Sequence, residues 1–313
     1  MFVFKSCSIK FSSPNPTGAF RSGEILSGEL RLELLKEIKI QKILMTVKGK
    51  AKVIWTISRS KNTRVFQGKE VLYRVEAAVL QNTGSWYDEP TLQPGVHVYP
   101  FRCQPPTGNF PSTFEGKHGR IVYSVVFEIH RQDHIKTIDS DFKFERLVNV
   151  AVPELLMPQS ETKRRSLSCF CCTVSGDIYL DVFVEKKGFI PGETINITAE
   201  VGNGTSKNIV LIATLSKIVT YYTVGKADKK ACPKELGYVT GQPIQPNTSA
   251  FECELAVPIP EDLNISLGNC EVLEVEYSLV VNLFVKGCPA MKVVFPIVIG
   301  NCRQQPELPE ANC

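Results

Sequence analysis

The sequence predicts an all-β chain made of two related β-sandwiches in tandem, and three observations carry that prediction. No apolar stripe of 3.6-residue period runs for the length of a helix. Alternating apolar and polar runs recur instead, punctuated by turns rich in Pro and Gly, of which the 313 residues hold 20 and 21. The third observation is internal repetition. Phe20-Arg21-Ser22-Gly23-Glu24 returns as Phe189-Ile190-Pro191-Gly192-Glu193, each an aromatic residue three places ahead of a Gly-Glu pair with a period-2 run behind it. Leu92-Gln93-Pro94 with Tyr123 downstream returns as Ile244-Gln245-Pro246 with Tyr277. Gly23 and Gly192 are 169 residues apart, Pro94 and Pro246 are 152 apart, and the two tyrosines 154, so one loop insertion separates the copies.

In the first half, Phe2 to Phe11 reads as a strand that Asn15-Pro16-Thr17-Gly18 breaks. Ile25 to Leu35 and Ile38 to Trp55 alternate strongly and read as a pair joined near Lys36-Glu37, with the β-forming Val47, Val53 and Trp55 in the second member. Lys61 to Arg64 reads as a polar loop and Glu70 to Val79 as a strand. Gln81 to Pro90 reads as a turn-rich connection holding Trp86 and Tyr87. Val96 to Cys103, Arg120 to Arg131 and Ile135 to Val150, the last with a bend at Glu145, complete the half.

Pro153 to Cys172 breaks the pattern with two prolines, the run Lys163-Arg164-Arg165 and the triad Cys169, Cys171 and Cys172, and it reads as a linker. Beyond it, Gly176 to Lys186, Ile195 to Val201, Ile209 to Tyr222, Lys234 to Gly241, Ala250 to Val257, Val272 to Val285 and Met291 to Ile299 are strands. The expected organisation is a β-sandwich over residues 1–152, a linker over 153–175, a second sandwich over 176–300 and a short tail over 301–313. Each half is long enough to bury its own core.

Eleven cysteines are an odd number, and Met1 to Phe11 carries Lys5 and Lys10 without the continuous apolar core of a secretory signal. The thiols are therefore expected to be reduced and cytosolic, with Cys103, Cys253 and Cys288 as small hydrophobes in or beside strands. The glycosylation triplets headed by Asn196, Asn203, Asn247 and Asn264 would then go unused. No apolar run has the length of a membrane span. Charge divides unevenly, with 22 basic and 14 acidic residues in 1–152 and 14 and 18 in the rest, net +8 against −4. A basic first half suits an anionic partner: a phosphorylated peptide, lipid headgroups or nucleic acid. Lys5 and Lys10 on the first strand, with Lys36, Lys39 and Lys42 on the next hairpin, are the candidate contacts, although Lys36 and Lys39 have opposite parity and cannot share one face.

Chemistry leaves little trace. His130 and His134 sit in a hairpin turn, whereas a zincin pair needs a helix to bring both rings to one face. Phe114-Glu115-Gly116-Lys117-His118-Gly119-Arg120 lacks the Gly-Lys-Ser/Thr ending and the following helix of a phosphate loop. Cys169, Cys171 and Cys172 have no second Cys/His pair to complete a zinc site, which leaves plain thiols or acylation. No serine lies in a Gly-x-Ser-x-Gly context, and an enzyme is not expected. Arg165-Ser166-Leu167-Ser168 offers Ser166 and Ser168 to a basophilic kinase, whose phosphate would add about two negative charges to a basic run.

Several ordered motifs carry a family resemblance. Ser22-Gly23-Glu24 with Ser27-Gly28, Gly49-Lys50-Ala51-Lys52-Val53 with Trp55-Thr56, Phe114 to Gly119 with Tyr123, Lys187 to Glu193, Val275-Glu276-Tyr277-Ser278-Leu279 and Pro296-Ile297-Val298-Ile299-Gly300 are similar to signatures of the arrestin-domain-containing proteins, or α-arrestins, over nearly the whole chain. The resemblance implies the arrestin fold, two tandem immunoglobulin-like sandwiches. It implies a cytoplasmic adaptor, peripheral to plasma membrane or endosomes, that links receptor or transporter cargo to endocytic sorting and ubiquitination, with no cofactor, metal or nucleic acid. Family members reach HECT-type ubiquitin ligases through Pro-Pro-x-Tyr tails. Here the one Pro-Pro pair, Pro105-Pro106, is followed by Thr107-Gly108. The alternative implied by the resemblance is a thioredoxin-binding-like redox or signalling protein. Cys253 lies near the cysteine that branch uses, and the activity is not carried over to it.

Overall fold

The computed structural model describes residues 3–12, 18–59, 62–81, 91–105, 107–132, 134–168 and 175–303. The chain forms two compact units: Met1–Arg146 with Tyr221–Lys230 and Asn269–Leu273, and Leu147–Thr220 with Ala231–Gly268 and Glu274–Cys313.

The first unit contains β1 (Phe4–Phe11), β2 (Ala19–Arg21), β3 (Leu26–Leu34), β4 (Ile38–Lys39), β5 (Lys42–Arg59), β6 (Asn62–Gln81), β7 (Thr91–Leu92), β8 (Gly95–Cys103), β9 (Phe114–Gly116), β10 (Gly119–His130) and β11 (Ile135–Glu145). One sheet has the order β1-β3-β8, and a larger one the order β2-β11-β10-β5-β6, with β9 beside β10 and β4 paired to β7. Period-2 burial drives this arrangement: in β3 the side chains of Leu26, Leu30, Leu32 and Leu34 point inward while Glu29 and Arg31 point out. An aromatic cluster fills the core. Phe11 packs on Phe20 and Phe101 at 6.2 Å, and Tyr123 on Phe144 at 4.6 Å.

The expected pairing of Ile25–Leu35 with the strand after Lys36-Glu37 does not form. β3 pairs with β1 and β8, and β5 pairs with β10 and β6 in the other sheet. A hairpin and a crossover between sheets share the same local alternation, and the partner is chosen by distant residues. Of the expected polar loop at 61–64, Asn62, Thr63 and Arg64 already belong to β6, which pairs with β5 from Lys42↔Gln81 to Arg59↔Asn62. Trp55 stacks on its cross-strand partner Phe66 at 5.4 Å, which pins this register.

The second unit opens with a one-turn helix α1 (Pro153–Leu156) and continues with β12 (Gln159–Ser168), β13 (Ser175–Val184), β14 (Gly188–Phe189), β15 (Thr194–Asn203), β18 (Thr248–Pro258), β20 (Met291–Ile299) and all but one end of β16 (Ile209–Tyr222), β17 (Lys229–Thr240) and β19 (Leu273–Val285). The sheets run β12-β13-β15-β18 and β14-β20-β19-β16-β17. The reading of 153–175 as a linker is corrected here, since Gln159–Ser168 is a full edge strand paired with Ser175–Val184. Its inward positions are occupied by Glu161, Lys163, Arg165 and Leu167, so burial alternates although the apolar pattern does not. Long cationic stems substitute for aliphatics there. Lys163 donates to the Lys292 carbonyl at 2.7 Å and Arg165 to the Pro289 carbonyl at 2.8 Å. Asn203, one of the glycosylation triplets, is fully buried and donates to the carbonyls of Lys207, Ile244 and Gln245, a position closed to a glycan.

The repeat in the sequence is a repeat in the structure. Gly23 and Gly192 both take positive φ, +83° and +87°, in the turn after a short strand, β2 or β14, that runs parallel to β11 or β20. In each turn the following glutamate folds back: Glu24 accepts from the Arg21 amide at 2.8 Å and Glu193 from the Ile190 amide at 3.0 Å. Phe20 stands beside Phe144, and Phe189 beside Ile299. Thr113 accepts from the Phe144 amide and donates its own amide to the Phe144 carbonyl, and Ser266 does the same with Ile299. Two residues before each, a carbonyl takes a tyrosine hydroxyl: Tyr123 donates to Pro111 at 2.5 Å and Tyr277 to Asn264 at 2.6 Å.

Within the first unit, Cys270 donates its thiol to Glu70 at 3.1 Å while the Glu271 amide donates to the same carboxylate oxygen at 2.7 Å. Burial first, and the carboxylate second, push this thiol from an ordinary value near 9 up to about 12.

Two outcomes follow from this geometry. Tyr123→Phe and Tyr277→Phe should each lower unfolding free energy by about 1–3 kcal/mol, the penalty for a buried carbonyl left unpaired, read from urea midpoints. Raising the pH above about 9 ionises Cys270 in the unfolded chain before the folded one, so the stability it contributes is full below pH 9 and is lost as pH rises toward 12. Between pH 9 and 10, wild type should lose stability faster than Cys270→Ser, by at most about 1.4 kcal/mol per pH unit in urea titrations.

Candidate functional site

The five nominated lysines do not form one surface. Lys5 and Lys10 lie on β1, Lys39 on β4 and Lys42 on β5, three different sheets, with Lys36 in the bend between β3 and β4. The hairpin that was to carry Lys36, Lys39 and Lys42 is absent for the reason given above.

The β1 lysines are also compensated. A register shift between Phe4 and Ser6 makes Lys5 a bulge residue, which turns its side chain to the face that Ser6 occupies. Glu33 takes both, accepting from Lys5 Nζ at 2.8 Å and from Ser6 Oγ at 3.0 Å. Those two bonds, the lysine first, hold the Glu33 carboxyl below its usual range. Lys10 stands directly opposite Glu29. An exposed pair such as Lys5–Glu33 contributes little to stability, but it and the facing Glu29 set carboxylates beside both β1 lysines.

Cations that the sequence reading did not nominate stand together on β5 and its neighbours. Lys48-Gly49-Lys50-Ala51-Lys52 places a lysine at every second residue of β5, all on one face. Lys52 is flanked by Arg120 on β10 and Lys69 on β6, and Lys48 by Arg74. Burial, then the charges of Lys50 and Arg74, lower the Lys48 pKa from its ordinary value. The period-2 lysines are legible in the sequence. Arg120 and Lys69 are legible only once the register is known.

The nominated phosphorylation sites lie at the end of strand β12. Ser166 is exposed and opposite Asp177, so a phosphate there would meet a carboxylate across the ladder as well as the basic run. Ser168 ends the strand, opposite Ser175. Cys169, Cys171 and Cys172 lie outside the described residues.

Three thiols and one histidine are committed to packing. Burial raises the Cys7, Cys103 and Cys253 pKa values, which keeps each sulfur protonated and weakly nucleophilic. His118 packs edge-on against Tyr221 at 5.4 Å, and burial, followed by Lys230 and Lys117, lowers its pKa, so it is a neutral packing side chain. His130 and His134 flank the β10–β11 turn as expected, with His130 3.3 Å from Glu128. Among the described residues no group of three His, Cys, Asp or Glu side chains could hold a metal ion, and no helix is long and apolar enough to cross a membrane.

Comparison with known proteins agrees with this architecture. The profile of the arrestin (or S-antigen) N-terminal domain matches residues 7–152, and that of the arrestin (or S-antigen) C-terminal domain matches residues 174–304. The chain is 29% identical over 289 residues to arrestin domain-containing protein 4 of Mus musculus, covering 90% of this chain and 69% of that protein. It is 27% identical over 300 residues to thioredoxin-interacting protein of Homo sapiens, covering 95% and 74%. With both domains in order and such relatives across nearly its full length, the chain belongs to the arrestin-domain-containing, or α-arrestin, family.

Proposed function

We propose that this protein is a non-catalytic adaptor that binds membrane receptors or transporters as cargo and couples them to endocytic sorting and ubiquitination at the cytoplasmic face of the plasma membrane or endosomes. The observation that carries the reading is the occupation of the chain by two arrestin domains, at 7–152 and 174–304. Both units are strand ladders that display polar residues on their sheet faces and turns, which suits recognition of extended partners. HECT-type ligases are proposed partners. The 313-residue sequence has no Pro-Pro-x-Tyr, so direct WW docking is not part of the proposal.

A second reading draws on the likeness to a protein whose name records thioredoxin interaction. A disulfide with thioredoxin needs an accessible thiolate, whereas Cys253 on β18 is half-buried with its pKa raised by that burial, and Cys270, just ahead of β19, is buried with its thiol bonded to Glu70. Adaptor function is therefore favoured.

Proximity labelling from the chain in living cells separates the two. Receptors or transporters, sorting proteins and ligases should dominate the labelled set, and depletion of the chain should slow cargo ubiquitination. Labelling confined to soluble redox proteins, together with a thioredoxin disulfide lost in Cys253→Ser, would replace the adaptor reading with the second.

A further inference from the structure

We infer that the outward face of the β5–β6 hairpin is a docking surface for an anionic lipid bilayer. Along β5 the residues Gly49, Ala51, Val53 and Trp55 are buried, so Lys50, Lys52, Ile54 and Thr56 look outward. The register brings their neighbours into rows. Arg120, Lys52 and Lys69 stand abreast on three adjacent strands, with Val122, Lys50 and Val71 in the next row and Ser124, Lys48 and Arg74 in the one after. Toward the hairpin tip the rows continue as Ile54 with Gln67 and Thr56 with Val65. From Lys48 to Thr56 this stripe runs roughly 27 Å along the strands.

Two features point to a membrane. Strands lie about 4.8 Å apart, so the row of three cations sets like charges directly opposite one another, which opposes folding. Among the described residues Lys50, Lys52, Lys69 and Arg120 form no ion pair with a carboxylate. Lysine on the edge strand β6 is explained by protection of a free edge, but β5 is paired on both sides, so Lys50 and Lys52 have no such role. A local conflict that the fold does not need is expected where a surface serves a partner. The second feature is apolar. Ile54, Val65 and Val71 are 48%, 61% and 62% exposed, on the same face and interleaved with the lysines. A broad stripe of cations and aliphatics matches headgroups above and acyl chains below. Glu76 of β6 pairs with Arg74, and Glu115 of β9 stands opposite Arg120 at the end of its row, while Glu128 and Asp139 belong to the β10–β11 side, so the basic centre of the face is Lys50, Lys52 and Lys69.

Sedimentation of the full chain with vesicles tests the inference, and it can fail independently of the adaptor reading, which is read from labelled cargo. Wild type should bind vesicles of equimolar phosphatidylcholine and phosphatidylserine, not phosphatidylcholine alone, and binding should weaken as salt rises. The combined change Lys50→Gln, Lys52→Gln and Lys69→Gln should weaken binding on the order of 100-fold, about 5-fold per lysine. Its Tm should be unchanged or raised, because a row of like charges is relieved. Ile54→Ser with Val71→Ser should also weaken binding without altering its salt dependence, while Lys5→Gln with Lys10→Gln should leave it intact. Vesicle binding that survives the triple change, or that is lost with Lys5 and Lys10 instead, overturns the inference. So does lysine-dependent binding to a phosphorylated peptide without vesicle binding. Self-association that the triple change abolishes would assign the face to a second copy, whose Asp181, Glu200 and Glu252 form an acidic row on β13, β15 and β18.

Discussion

In each half of the chain a glutamate carboxylate turns back onto the amide three residues before it, and the rest of the sandwich depends on that closure. The short strand ahead of the glutamate, β2 or β14, is the one that runs parallel to its neighbour, and parallel pairing cannot be made by a tight hairpin. A turn with positive φ at Gly23 or Gly192, tied by Glu24 or Glu193, lets the chain leave one sheet and enter the other as β3 or β15. Glu193 adds ion pairs with Lys186 and Arg303, and in the first unit Arg21 pairs with Glu145 of β11. From that closure the opposite corner follows. The residue beside the short strand, Phe144 or Ile299, exchanges bonds with Thr113 or Ser266, which sets the carbonyl that Tyr123 or Tyr277 satisfies.

Charge is organised by sheet rather than by half. The basic excess of residues 1–152 divides into β1, where Lys5 pairs with Glu33 and Lys10 faces Glu29, and a β5–β6 face where cations neighbour cations. Net charge bears on partners and solubility, and only pairing decides which cations are available. In the second unit the same logic gives the reverse sign, with Asp181, Glu200 and Glu252 abreast and Lys163 and Arg165 of β12 bonded to the backbone carbonyls of Lys292 and Pro289.

Burial raises the thiols of Cys7, Cys103, Cys253 and Cys270, and these groups, with the neutral His118, serve packing in their units. Cys270 illustrates the point: its proton is held by Glu70, a bond that fastens a segment and disfavours the thiolate needed for exchange. Function in such a molecule rests on the outward faces of the strands and their turns.

What the sequence by itself determined was the period and the punctuation. Alternation named the strands, and β16 and β20 fall on Ile209–Tyr222 and Met291–Ile299 as read, because a buried sheet face imposes period 2 locally. The repeated Gly-Glu and tyrosine residues marked equivalent places, since a positive φ and a buried hydroxyl each demand a particular residue type. Tertiary structure decided the rest. It sent β3 and β5 to different sheets, made a strand of the polar segment Gln159–Ser168 by lending it β13 as a partner, and set Lys52 between Arg120 and Lys69. Those outcomes depend on which strand lies alongside, and pairing between residues tens of positions apart leaves no mark in local alternation.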